Sequence, residues 1–204
     1  MRRRISGMHA LGSEIAQTAA RMVVAEGLEY GPAKRRALRE MGLPARTALP
    51  PNDLVERAVV EYIALFCAST QADELLALRR LAALWMQRMS AFRPYLSGAV
   101  WQGTATRRSD IHIELFCDDC KSAEMALIDH HVAYEARMVG GTHGERVDVL
   151  SVHAYCEELN EDIGVHLSIY DYRDLRGALR PDASARAPRG DLAAVRSLLR
   201  DGTA

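Results

Sequence analysis

The chain has 204 residues and a mass of 22.6 kDa, enough for one large domain or two small ones. With 49% apolar and 26% charged residues it matches an ordinary folded protein and not a disordered, collagenous or disulfide-scaffold class. A net charge of -1 excludes a uniformly basic nucleic-acid binder while leaving room for local patches.

The first 93 residues read as a helical region. Ser13 is placed to cap a run in which Ile15, Ala19, Met22 and Val23 recur at helical spacing, and Gly27 follows as a left-handed stop. Pro32 suits the start of a short second helix that Gly42 closes, carrying Lys34, Arg35, Arg36 and Arg39. After the proline-rich connection from Thr47 to Pro51, Asn52 opens a third helix with the apolar stripe Leu54, Val55, Ala58, Val59, Tyr62, Ile63 and Phe66. Thr70 and Asp73 form a short-acid capping box, and Leu75, Leu78, Leu81, Ala82, Trp85 and Met89 continue a fourth helix to the break at Pro94.

Residues 94–179 change period. Asp110 to Phe116 alternates polar and apolar residues as a half-buried strand does. Lys121 to His131 reads as a helix, Val132 to Val139 and Arg146 to Tyr155 as a hairpin about the Gly140 to Gly144 turn, and Val165 to Tyr170 as a further strand. Asp171 to Leu179 suits a returning helix, and residues 180–204 read as a linker followed by an amphipathic helix at Asp191 to Leu199. The expected architecture is α+β, a mixed sheet with flanking helices preceded by the helical region.

No run approaches the roughly 18 apolar residues of a membrane helix, and Met1-Arg2-Arg3-Arg4 is followed by polar residues where an export signal needs an apolar segment. A cytoplasmic protein without membrane contact is expected. Cys67, Cys117, Cys120 and Cys156 are too scattered for a disulfide framework. Only Lys34 and Lys121 are lysine among 26 basic residues, a pattern of GC-rich bacterial coding.

The chemistry concentrates between Leu96 and His112. A glycine-bearing turn after a helix, a second glycine five residues on and a serine before the strand acid would present amides and hydroxyls to an anion such as phosphate. On the strand, residues two apart lie about 6 to 7 Å from each other on one side. Asp110, His112 and Glu114 therefore share a face, while Ile111, Ile113 and Leu115 enter the core.

Ser97-Gly98, Gly103-Thr104-Ala105-Thr106 and Ser109-Asp110-Ile111 resemble the signature of the nucleotidyltransferase superfamily, especially its minimal bacterial members. The likeness covers some 20 residues closely. It implies a nucleotidyltransferase-like sheet, a nucleoside triphosphate held by Ser97, Gly98, Gly103, Thr104, Arg107, Arg108 and Ser109, and transfer of a nucleotidyl group to a hydroxyl. It also implies two divalent cations, Mg or Mn, on strand acids. Asp110 takes the place of the first acid and His112 that of the second, a departure, because one imidazole nitrogen cannot bridge two hard cations as a carboxylate does. Glu114 lies one pleat further on as a further ligand. For the third acid, Asp148 within Arg146-Val-Asp-Val-Leu fits better than Glu135.

Other readings stand beside this one. The Gly-Ser-Asp segment also suits a plain turn before an edge strand, with Ser109 capping backbone groups. A relative without catalysis would serve as an interaction module, its helical region forming a homodimer or partner surface. The activity carried in name by similar small bacterial proteins, UDP-N-acetylmuramate–alanine ligation, would need a glycine-rich Lys-Ser/Thr loop, and no Gly-Lys pair occurs. Cys117-Asp-Asp-Cys120 with His130 and His131 has the spacing of zinc ligands, although a capped strand-to-helix turn accounts for it equally simply. The basic cluster from Lys34 to Arg39 lacks interleaved aromatics, which disfavours nucleic acid. His153 and His166 lie on neighbouring strands with no assigned role.

Overall fold

The computed structural model describes residues 2–140, 146–175 and 187–201. The chain divides into two compact units, residues 1–72 and 73–204. Among the described residues no helix is long and apolar enough to cross a membrane.

The first unit is helical. Helix α1 (Arg2–Glu26) packs against α2 (Tyr30–Glu40) and α3 (Asn52–Phe66). The expected stripes meet in its core, where Ile15, Ala19 and Met22 lie buried with Ala33, Ala37, Leu38, Val55, Val59 and Ile63. Ser13 differs from expectation: α1 begins eleven residues before it, so the serine sits inside the helix and caps nothing. Gly27 ends α1 at φ 72°, with its N–H donated to the Val23 carbonyl at 3.1 Å, as a left-handed stop requires. Two members of the basic cluster are tied within the unit. Lys34 donates to the Pro50 carbonyl at 3.0 Å and to Asn52 at 2.7 Å, and Arg36 meets Glu26 at 2.5 Å.

The second unit is α+β. Helix α4 (Gln71–Arg88) opens it, followed by β1 (Tyr95–Ser97), α5 (Gly98–Gln102), β2 (Ile111–Cys117) and α6 (Cys120–Asp129). The hairpin β3 (Glu135–Gly140) and β4 (Arg146–Cys156), then β5 (Glu161–Asp171), β6 (Arg189–Asp191) and α7 (Leu192–Asp201) complete it. The sheet runs β3-β4-β5-β2-β1-β6 and is mixed, with β2 and β5 parallel and the other pairs antiparallel.

Helix α4 belongs with the sheet and not with the preceding helices, so the division falls after Ala72 and not after Arg93. The reason is its apolar stripe: Leu78, Leu81, Ala82, Trp85 and Met86, with Met89 just past its end, share one core with Leu96, Ile111, Ile113, Leu115, Leu150, Val165 and Leu167. That core lies on one face of the sheet. Helical periodicity marks which residues are buried but not which partner buries them.

The C-terminal region also departs from expectation. The Gly141 to Gly144 part of the predicted turn, residues 176–179 of the predicted helix and residues 180–186 of the predicted linker lie outside the described residues, while the start of that helix is instead the end of β5 at Asp171 and a 3-10 turn at Tyr172–Asp174. Arg189 to Asp191, expected as linker end and helix start, instead form an edge strand on β1. Three residues are too few for alternation to announce a strand. Gly190 admits it because the ring of Trp101 fills the place that a Cβ would occupy.

Candidate functional site

Strand β2 forms as its alternation requires. Ile111, Ile113 and Leu115 are fully buried in the helix-covered core, so His112 and Glu114 project from the opposite face. The ladder places directly paired residues on one face. Ser97 on β1 pairs with His112, His112 with His166 on β5, His166 with Ser151 on β4, and Ser151 with Glu135 on β3. Five polar residues thus form a single rung across the sheet.

Asp110 stands immediately before β2 and turns toward this rung. Its Oδ2 lies 3.1 Å from His166 Nε2, and half of its side chain is exposed. The other ring nitrogen of His166, Nδ1, lies 2.9 Å from Ser151 Oγ and 3.3 Å from Arg137 Nη2. The rings of His112 and His166 are 5.1 Å apart between centroids. Burial acts to raise the Asp110 carboxyl, but the hydrogen bond and charge of His166, the charge of His112 and the Gly164 N–H together hold it below its ordinary value.

Two glycines make the space. Gly98, at φ 68°, ends β1 against His112, where a Cβ would meet the imidazole at 3.4 Å. Gly164 on β5 leaves room for the Asp110 carboxylate, and a Cβ there would lie 2.5 Å from Oδ1.

The remaining expected residues are engaged elsewhere. Glu114 forms an ion pair with Arg189, their side chains being 12% and 19% exposed, and burial lowers the Arg189 guanidinium from its ordinary value. Asp148 pairs with Ile169 on β5, which faces the helix-covered side, so its carboxylate lies on the opposite face from His112. There it lines a groove of about 210 Å³ with Lys121, Glu124 and Met138. The competing Glu135 is on the correct face, but two strands beyond His166, or about 10 Å at ordinary strand spacing.

The segment between Gly103 and Ser109 is a closed turn. Gly103, at φ 88°, caps α5, and the N–H groups of Gly103 and Thr104 both donate to the Ala99 carbonyl, at 2.9 and 3.0 Å. Thr104 and Thr106 are buried. Ser109 accepts from the Thr106 N–H at 3.1 Å and donates its own N–H to the Thr106 carbonyl at 2.8 Å. Arg107 is held by Glu161 at 2.6 Å, a bond that raises its guanidinium above the ordinary value, and Arg108 is exposed. Most of the groups expected to grip an anion are therefore engaged or buried: the Arg107 backbone N–H donates to Glu74 at 2.9 Å, and the Thr104 hydroxyl is buried without a hydrogen-bond partner. Ser97 and Gly98 alone of that expected set border the rung.

A pair of divalent cations does not fit these residues. Asp110 is bonded to His166, Glu114 is neutralised by Arg189, and Asp148 is on the other face. Among the described residues no group of three His, Cys, Asp or Glu side chains comes together to hold a metal. The Cys-x-x-Cys segment is a capped turn, in which Asp119 accepts from the Lys121 N–H at 3.0 Å, while the Cys120 side chain lies outside the described residues.

His166, Ser151, Arg137 and Gly164 were not marked by sequence reasoning as site residues. Alternation put His166 on a polar face, but only strand order could bring it beside Asp110, 56 residues away.

No family model matches the chain, and no curated protein matches it. Among solved structures, similarity is found to a poly(U) polymerase determined with MgGTP bound, at TM-score 0.35 and 9% identity, covering 48% of this chain and 32% of that one.

Proposed function

We propose that the second unit is a nucleotidyltransferase-like domain that binds a nucleoside triphosphate on the open face of its sheet without a two-cation centre. One observation carries this reading: Gly98, the glycine of the Ser97-Gly98 motif, abuts His112, the residue in the second-acid position, within a row that continues to His166. The juxtaposition supports the motif resemblance, because Gly98 and His112, 14 residues apart, meet through β1–β2 pairing.

The side chains favour an anion. His112 and Ser97 supply imidazole and hydroxyl groups that can donate to phosphate oxygens, while His166 and Ser151, bonded to Asp110 and to each other, hold the row in place. Nucleotidyl transfer through two bridging cations has no support in this donor set, so binding is the proposed activity and the acceptor is left unassigned.

The test is thermal unfolding with each of the four nucleoside triphosphates at about 1 mM, with EDTA and with Mg²⁺ or Mn²⁺. Stabilisation that persists in EDTA is expected. Stabilisation only with a divalent cation, or none with any nucleotide, would overturn the reading.

A further inference from the structure

We infer that Arg137 is the cationic contact for the polyphosphate of the bound nucleotide. The inference rests on the reading of the open face just given and assigns its far end.

A neutral imidazole has one N–H and one lone pair. When His166 is neutral, the Asp110 carboxylate at 3.1 Å from Nε2 draws the N–H to that nitrogen and leaves the lone pair on Nδ1. Two donors converge on that lone pair: the Ser151 hydroxyl at 2.9 Å and Arg137 Nη2 at 3.3 Å. The nearer hydroxyl satisfies it. Arg137 is then left with a guanidinium whose donors exceed the acceptors around it.

Other arginines of the unit are held more firmly: Arg80, Arg107 and Arg189 each meet a carboxylate, that of Glu158, Glu161 and Glu114 respectively, and Arg196 donates to Gln87 at 2.6 Å. Arg137 has no carboxylate partner among the described residues, and its side chain is exposed on the face that carries His166. A guanidinium held by a weak neutral contact at the end of a polar row is suited to an incoming oxyanion, to which it can present two parallel N–H groups.

The row also has the right direction. Its strand order β3-β4-β5-β2 puts the Arg137 backbone three strands from His112, or about 14 Å along the sheet, and the side chain reaches back across β4 to bring Nη2 3.3 Å from His166 Nδ1. A nucleotide lying across the strands from Ser97 and His112 would extend its phosphate chain toward Arg137. The guanidinium would supply positive charge there without a metal ion.

The test is calorimetric titration of the full chain in EDTA with a nucleoside mono-, di- and triphosphate and with inorganic tripolyphosphate, for the wild type, Arg137→Ala and Arg137→Lys. Circular dichroism and thermal melting check that each variant is folded. The wild type should bind more tightly as phosphates are added. Arg137→Ala should lose at least about tenfold in triphosphate and tripolyphosphate affinity while monophosphate affinity stays within about twofold, and Arg137→Lys should recover part of the loss.

Unchanged triphosphate affinity in Arg137→Ala would overturn the assignment and leave nucleotide binding standing. Arg137-dependent binding of tripolyphosphate with no preference for nucleotides would keep the anion contact and overturn the nucleotide reading. Absence of binding by every probe would overturn both.

Discussion

Gly164 and Asp110 fit together as space and occupant: the missing side chain on β5 leaves the volume in which the Asp110 carboxylate reaches its hydrogen bond with His166. The glycine is needed for close approach, since a Cβ would lie 2.5 Å from Oδ1. Gly164→Ala should therefore destabilise the protein by about 1–3 kcal/mol, the usual range for overpacking. In urea unfolding, most of that loss should disappear when Asp110→Gly is added. Strictly additive losses in the double variant would refute the steric pairing.

The same carboxylate should register in acid stability. Its native value lies below its ordinary one, so Asp110 contributes stability that is fully present above its unfolded value, roughly pH 4. That contribution is lost as pH falls through the lower native value. Asp110→Asn should be less stable than the wild type at neutral pH, with the difference shrinking below about pH 4. Unfolding free energies measured from pH 7 down to the acid transition test this, and a constant difference would contradict it.

Glu114 and Arg189 offer a second check on the open face. Both side chains are largely buried, so removing one charge strands the other. Arg189→Met and Glu114→Gln should each cost about 3–5 kcal/mol in chemical denaturation, whereas the double variant Glu114→Leu, Arg189→Met should recover most of that loss. Small effects for both single variants would show that the pair is solvated in solution.

The proposed cation-independent binding rests on His112 standing where the resemblance expects a second acid. Replacing it with aspartate puts two carboxylates on one face of the strand start, a set that hard divalent cations accept and imidazole disfavours. His112→Asp should gain stabilisation by Mn²⁺ or Mg²⁺ in the presence of nucleotide, visible as a melting shift that EDTA abolishes. The wild type should show no such dependence. An equal cation response in both proteins would argue against His112 as the cause.

Much of the local structure was legible from residue order. The alternation from Ile111 to Phe116 is enough to send His112 and Glu114 to one face and three aliphatic residues to the other, because strand geometry has a period of two. Glycine after an apolar helical run likewise announced the end of α1 at Gly27. These are properties of consecutive residues and need no knowledge of what lies alongside.

What faces what was settled only by assembly. Asp148 and Ser151 lie three residues apart on β4 and so point to opposite sides, and nothing in Arg146-Val-Asp-Val-Leu tells which side will be covered by helices. Packing of α4, α5, α6 and α7 against one face made the aspartate a groove residue and the serine a partner of His166. Strand order did the rest: β5 beside β2 brought His166 to Asp110, and β6 beside β1 brought Arg189 to Glu114. Side-chain alternation is encoded by backbone geometry within a strand, whereas the neighbours of a strand depend on hydrogen-bonded pairing and core burial between distant segments, which residue order alone does not specify.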